Sequence, residues 1–410
     1  MWRCAVAALL AVGLGACAAR RPALAPPAWA PRPFVITFWC GPPLTERGDA
    51  RLASIAAAGF TTIGAPCVGD LDVAANRAGL DAAARHGLRV WLADHRLYAA
   101  AAGDGDAAAR AAAVAADFRA APALDGYVVA DEPTVPRFPP VAATVAALRA
   151  ADPGRLAYVN LLPDYIPPAG LGAASYADYL EGFVAMAQPQ LLSVDYYPFG
   201  ETRDRSSIFA NLAALRDAAL RHDLPFLWIV LAMPHGPYRD PTAAELAWQV
   251  FHALAFGARG VSYFAYWTPP YDERDRFRRG LVEDGTETER HAEVGTLNHE
   301  LAALAAALDG QRSLAVADPD GVIGAPFPIG PIAAVDGGPV TVGLFGDGSG
   351  TISALLVNRD YRQPVSLRVT ARAAAAPVEA FDAATRTWRP SALAVDLPAG
   401  GAVLLRWPAR

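Results

Sequence analysis

Leu124-Asp125-Gly126-Tyr127-Val128-Val129-Ala130-Asp131-Glu132-Pro133 reads as a buried strand that runs into two adjacent carboxylates and a proline. Apolar residues carry the strand to Ala130, and Pro133 ends it because proline brings no N–H to a ladder. The two acids admit two explanations. In a parallel barrel the C-terminal strand ends carry the chemistry; alternatively, Asp131 and Glu132 open a helix, whose N-terminal dipole favours negative charge. For the decapeptide alone the helix start is the simpler account, so the choice falls to the rest of the chain.

On both sides of this stretch, short apolar runs alternate with alanine-rich helical segments. Strands are predicted at residues 34–40, 61–65, 89–94, 126–131, 157–161, 191–197, 226–232 and 260–266. Helices are predicted at 46–58, 73–86, 107–120, 141–151, 176–187, 207–222, 243–257 and 289–308. Eight βα units within residues 34–310 give the rhythm of a (β/α)8 TIM barrel. A doubly wound open sheet would call for a glycine-rich phosphate turn after an early strand. Trp39-Cys40-Gly41-Pro42-Pro43 is no such turn, and no Walker pattern occurs. Residues 311–410 change to glycine, valine and alternation, with strands predicted at 340–344, 351–357, 365–369, 378–381 and 401–406. Turns such as Asp347-Gly348 and Ala399-Gly400 separate them, so a small C-terminal antiparallel β-sandwich is expected after the barrel.

A chain of 410 residues, 53% hydrophobic and 19% charged, has the makings of one large and one small globular domain. Its net charge of -6 leaves no basic footprint for nucleic acid and suits a neutral, polar substrate. At the start, Arg3 precedes an apolar run over residues 5–16 that is too short to span a bilayer and reads as an export signal. Leu14-Gly15-Ala16-Cys17 resembles the bacterial lipoprotein cleavage box. That resemblance implies a signal over residues 1–17, lipidation of Cys17, and a place in the bacterial cell envelope, at the periplasmic or outer-membrane face, held to the membrane by the lipid alone. Ordinary cleavage near Ala19 is the alternative. Residues 18–33, rich in proline and alanine, form an extended tether. Of the four cysteines, Cys4 leaves with the signal, and Cys40 and Cys67 remain as an even pair in an oxidising compartment. They follow the first and second strands, neighbours in a barrel, so a disulfide is expected there, with two independent thiols as the alternative.

The barrel reading selects residues at strand ends, and these are polar and aromatic: Trp39, Asp94-His95, Asp131-Glu132, Asn160, Asp195-Tyr196-Tyr197, His235 and Tyr266-Trp267. Aromatic faces stack on the C–H faces of sugars, while carboxylates and amides bind hydroxyls, so the set suits a carbohydrate cleft. Trp39 and Trp267 are the stacking platforms; Trp91, in mid-strand, belongs to the core. His95 and His235 either bind sugar hydroxyls or serve structure. With no HExxH, no paired CxxC and histidines scattered singly, neither a metal nor a cofactor is expected.

Across residues 34–309 these features resemble the clan A glycoside hydrolases, especially their β-galactosidase-like and family 42-like branches. Asp131-Glu132-Pro133 matches the Asn-Glu-Pro at the end of strand four, and Tyr266-Trp267 resembles the aromatic end of strand eight. Asp284-Gly285-Thr286-Glu287-Thr288 and Asn298-His299-Glu300-Leu301 are similar to a loop and helix that follow that strand. The resemblance implies that Glu132 is the general acid/base, a role that needs a carboxyl of raised pKa. Asp131, in place of the family's Asn, holds a ring hydroxyl, tunes Glu132, or caps a helix.

The family's nucleophile belongs at the end of strand seven, where this chain reads Leu231-Ala232-Met233-Pro234-His235, without a carboxylate. A retaining double displacement, which sets two carboxyls about 5–5.5 Å apart, therefore lacks its second group. Asp195 is the best substitute; if it points inward, Ser193 and Tyr197 do too. Glu201, Asp272 and Glu273 are loop alternatives. An inverting reaction tolerates about 6.5–9.5 Å between carboxyls and makes Asp195 feasible as its base. Asp125-Gly126 through Glu132 also keeps the outer spacing of the family 18 chitinase motif, but Val128 and Ala130 replace its inner aspartates. The expectation is a glycosidase acting on an extracellular or envelope oligo- or polysaccharide, with Glu132 as acid/base and Asp195 as partner. The alternatives are a glycan-binding barrel that has lost its nucleophile, and a lyase or transferase using Glu132 as a base.

Overall fold

The computed structural model describes residues 29–31, 33–69, 71–372 and 377–409. The predicted signal, the Cys17 box and most of the tether lie outside the described residues. Strands β1 (Val35–Phe38), β2 (Thr62–Ile63), β3 (Arg89–Ala93), β4 (Leu124–Asp131), β5 (Leu156–Asn160), β6 (Leu192–Tyr196), β7 (Phe226–Leu231) and β8 (Gly260–Phe264) are apolar over most of their length. Strands covered on both faces need that composition. They pair in parallel in the orders β1-β8-β7-β6 and β2-β3-β4-β5, and parallel bridges Gly41–Pro66 and Leu161–Val194 join the halves into a closed ring. At the β1–β2 seam the backbones nearly touch: a Cβ on Gly64 would lie 1.7 Å from the Phe38 carbonyl oxygen, so only glycine fits.

Helices α1 (Asp49–Ala57), α2 (Val73–Arg85), α3 (His95–Ala101), α4 (Ala107–Phe118), α5 (Phe138–Ala151), α6 (Pro168–Leu171), α7 (Tyr176–Ala187), α8 (Ile208–Arg221), α9 (Ala243–Ala255) and α10 (Glu289–Ala307) surround the ring. Their starts are chemically marked. Asp72 accepts the N–H groups of Ala74 and Ala75 at 2.6 and 2.9 Å, and Thr242 with Glu245 forms a capping box. Two apolar layers result. Val35, Trp91, Val128, Leu156, Tyr158, Leu227 and Ile229 fill the barrel, joined by Trp29, while a larger layer lies between strands and helices.

After β8, Val282–Glu283 and Thr286–Glu287 form a hairpin through Asp284 and Gly285, whose φ values of 49° and 77° suit a two-residue turn matched to strand twist. In α10 the Asn298 amide donates to the Ala58 carbonyl at 2.9 Å and accepts the Tyr263 hydroxyl at 2.8 Å, tying the last helix to the first and to β8. These motifs close the barrel.

Beyond Arg312 an antiparallel sheet of six strands faces one of three, around Val342, Leu356, Leu367, Val369 and Leu405. This is the expected sandwich-like arrangement, with strands Arg312–Ala317, Ile332–Asp336, Thr387–Pro390 and Ala394–Leu397 that the sequence reading did not assign. The domain docks on α9, where His252 Nε2 meets the Thr341 hydroxyl at 3.1 Å and Trp248 Nε1–H donates to the Arg359 carbonyl at 2.9 Å.

Candidate active site

The register of β4 explains how two successive carboxylates come to face one cleft. Val128 pairs with Tyr158, then Ala130 with Val159 and Asp131 with Asn160, leaving an extra residue on β4. This bulge turns Asp131 to the inner face that Val128 occupies, where strict alternation would have sent it outward. Glu132 follows at φ 47°, a left-handed conformation that non-glycine residues rarely adopt, while its N–H donates to the Asn160 carbonyl at 2.9 Å. Both side chains line the same depression.

Behind them runs a chain of hydrogen bonds across four strands. Trp39 Nε1–H reaches the Tyr158 hydroxyl at 3.3 Å, Tyr158 meets the Ser193 hydroxyl at 2.9 Å, and Ser193 donates to Asn160 Oδ1 at 3.2 Å. The Asn160 amide nitrogen then donates to Asp195 at 2.9 Å and to Asp131 at 3.1 Å. Its polar atoms are fully engaged within the protein, so Asn160 orients the acids rather than offering itself to a ligand. Ser193 and Tyr197 lie on the inner face with Asp195, as period two requires.

Asp195 is 5% exposed and shares a hydrogen bond with the Glu132 carboxyl. Two ionised carboxylates at about 4 Å repel by about 4 kcal/mol at an effective dielectric of about 20, so the pair holds a proton. Burial foremost, then the charges of Asp195 and Asp131, lifts the Glu132 carboxyl far above the usual range. Burial also raises Asp195, against the hydrogen bonds from Asn160 and Glu132. Asp131 is pushed up to about 7 by burial and then by Asp195, with the Asn160 bond opposing. Water reaches the outer edges of Asp131 and Glu132 because they border an open mouth. Protein crowds them from below and from the sides, and this concave surround, not a sealed interior, sets the direction of both shifts.

The depression holds about 210 Å³, and its far wall comes from β6, β7 and β8: Tyr197, His235, Phe264, Asp275 and Phe277. His235 Nδ1 lies 3.1 Å from the Met233 carbonyl, which only accepts, so Nδ1 carries the proton and Nε2 is left as an acceptor. Burial lowers its pKa to about 4, which keeps the ring neutral at pH 7. Trp39 completes the rim. A second depression of about 420 Å³ shares Asp131 and Glu132 and extends towards Tyr98 and Arg137. A hollow of about 370 Å³ near Arg216 and Arg312 lies at the opposite end of the strands, beside the first residue of β7, and holds none of these groups. Among the described residues no group of His, Cys, Asp and Glu has the makings of a metal site.

Of the candidates, Trp39, Asp131, Glu132, Asn160, Asp195, Tyr197 and His235 converge here. His95 does not. Asp94 caps α3, accepting the Arg96 N–H at 2.8 Å, and this places His95 in the helix's first turn, exposed and outside the lining of the depression. Trp267 is also outside the lining: its N–H bonds the Cys40 carbonyl at 2.7 Å and its ring lies under Arg51 at 5.7 Å. Glu201 is paired with Arg276 at 3.2 Å, and Asp272 accepts the N–H groups of Arg274 and Asp275, so neither lines the depression; Glu273 is exposed. Asp131 caps no helix; the residue before the next short turn of helix is Thr134. Cys40 and Cys67 are disulfide-bonded, linking the loops after β1 and β2. Asp275 and Phe277 were not legible as cleft residues, because a charged loop gives no period from which to read direction; Phe264, the last residue of β8, lines the cleft as well.

No family model matches the chain, and no curated protein sequence does. Its shape does find counterparts. A β-galactosidase from Bacillus circulans sp. alkalophilus aligns over 92% of this chain and 99% of its own, with 9% identity and a TM-score of 0.61. A catalytic mutant of Gan42B, a GH42 β-galactosidase from G. stearothermophilus, aligns over 91% and 98% with 10% identity and a TM-score of 0.59. A glycoside hydrolase family 5 protein from Bacteroides vulgatus aligns over 91% and 88% with 12% identity and a TM-score of 0.54. The chain has a clan A glycoside hydrolase-like fold. The likeness spans the barrel and the trailing sheets, and at these identities it is a likeness of fold.

Proposed function

We propose that the protein hydrolyses O-glycosidic bonds of an extracellular or envelope oligo- or polysaccharide, with Glu132 as general acid/base. One observation carries this: Glu132 stands at the mouth of an aromatic-edged cleft beside two further carboxyls, Asp131 and Asp195, and this concave, acidic surround pushes its proton affinity up. An acid of that kind protonates a leaving glycosidic oxygen at neutral pH. Asp195, in hydrogen-bonding contact with Glu132, leaves no room for water between them. Its part is to hold and orient the Glu132 proton, not to activate water. Asp131 accepts a sugar hydroxyl, His235 Nε2 accepts another, and Trp39 and Tyr197 border the ring faces.

The same reading extends to organisation and place. Residues 1–17 act as a signal ending in lipidated Cys17, residues 18–33 as a tether, 34–310 as the catalytic barrel and 311–410 as the appended sandwich, in a protein held in the bacterial envelope by its lipid. Labelling with a radioactive fatty acid, lost in Cys17→Ser, checks that part.

The decisive experiment offers a panel of 4-nitrophenyl glycosides and envelope polysaccharides to the wild type and to Glu132→Gln. Sugar release by the wild type that the variant loses, with its fold intact by circular dichroism, is expected; equal turnover ends the assignment. A glycan-binding barrel is favoured by one feature, His235 where the family sets a carboxylate. Calorimetric binding without sugar release would establish that rival instead.

A further inference from the structure

We infer that Asp275, on the loop after β8, is the second catalytic carboxylate of the cleft and activates the attacking water from the wall opposite Glu132. The inference rests on the glycoside-hydrolase reading above. In a closed ring of eight strands β4 and β8 are diametrically placed, and Asp275 and Glu132 line the same depression of about 210 Å³ from those two sides. Asp195, the other partner available to Glu132, is in contact with it and has no space for water. The depression that Asp275 and Glu132 share, about 210 Å³, has room for a water molecule.

Asp275 is also held as a catalytic group must be. The Asp272 carboxylate accepts its N–H at 2.7 Å, and its carbonyl accepts the Gly236 N–H at 2.5 Å. Arg276 bonds the Gly236 carbonyl and pairs with Glu201, fastening the loop to the segment after β7. The groups facing its carboxylate are Arg274 on its own loop and His235 from the segment after β7. Across the cavity stand Glu132, Asp131 and Asp195. Arg274 grips both carboxylate oxygens, at 2.6 and 3.0 Å, and holds Asp275 below the usual carboxylate range. Since the Arg274 side chain is 87% exposed, that pair is a solvent-screened surface contact, readily exchanged for water and sugar. Two carboxyls whose environments push their proton affinities apart are an acid and a base.

In the resulting step a proton passes from water to Asp275, and the water oxygen forms its bond to the anomeric carbon. The glycosidic C–O bond breaks, and the leaving oxygen takes the proton of Glu132. The two carboxyls then exchange protons with solvent. A single displacement inverts the anomeric configuration.

The test uses the full chain and a 4-nitrophenyl glycoside that the wild type hydrolyses. Asp275→Ala is expected to lower kcat by about 10² or more with KM little changed. Azide should restore part of the turnover as a glycosyl azide, and proton NMR should show the wild-type sugar released with inverted configuration. Arg274→Ala, which frees the carboxylate, should keep or raise kcat. Wild-type kcat in Asp275→Ala, a retained configuration, or equal losses in both variants without azide rescue would overturn Asp275 while leaving Glu132 in place. A wild type inactive on every probe, or full turnover in Glu132→Gln, overturns the parent reading instead.

Discussion

The two walls of the cleft are built on opposite electrostatic principles. On the β4–β6 side, Asp131, Glu132 and Asp195 crowd around one amide, Asn160, with no cation within their hydrogen-bond network. On the far wall Asp275 is paired with Arg274 at the rim, and Glu201, from the loop after β6, is paired with Arg276. Where carboxylates are packed together without counter-ions, protons must take the place of charge. Where arginines are supplied at a wet rim, carboxylates stay ionised. A barrel can thus hold an acid and a base within one cavity while its strands remain alike, because the difference lies in what each loop brings to the carboxylate.

The contrast can be broken in order of expected effect. The largest is a leaving-group test of the proton-rich wall. Glu132→Gln should lose about 10²–10⁴ in kcat/KM on alkyl glycosides and far less on 2,4-dinitrophenyl glycosides, whose departure needs no proton. An equal loss on both would mean that Glu132 is not the acid. Next is Asn160→Ala, which removes the donor common to Asp131 and Asp195. It should cost about 1–3 kcal/mol in urea denaturation and move both carboxyls further up, seen as a basic limb of the pH–rate profile displaced to higher pH. On the other wall, His235→Ala forfeits a single neutral acceptor, so KM should rise up to about tenfold with kcat unchanged between pH 5 and 8.

The smallest effect concerns stability. Asp131 has a folded pKa of about 7 against an ordinary 3.8, so its contribution is full below about pH 4 and is lost as pH rises through 7. Asp131→Asn has nothing to lose. Relative to wild type it should gain between pH 4 and pH 8, by up to about 1 kcal/mol given water's access to the cleft mouth. A pH-independent difference in denaturation midpoints would show that this wall does not hold protons.

Much of this was readable from the chain, for reasons that differ by region. The alternation of apolar runs with alanine-rich segments located the barrel strands and most helices because burial on both faces of a parallel strand imposes composition directly. α3 escaped that reading: Asp94-His95 looks like a strand end carrying chemistry, and only the observed cap shows it to be a helix start. Strands such as Ile332–Asp336 and Thr387–Pro390 escaped because their burial is partial and broken. In the cleft, strand-end acids were legible as a class, whereas Asp275 was one among the many charges of a loop without periodicity.

What the sequence alone determined is the architecture and the inventory: eight strands, a trailing sandwich, and Asp131-Glu132 at the end of the fourth strand, since hydrophobic period and strand-breaking residues are local properties. The tertiary structure decided direction and company. A bulge in β4 and a left-handed Glu132 turn two consecutive carboxylates into one cavity, against the alternation a strand would otherwise impose. Asp195, sixty-odd residues away, then meets them because β6 closes the ring through β5, and proton affinity depends on such neighbours, which no stretch of sequence contains.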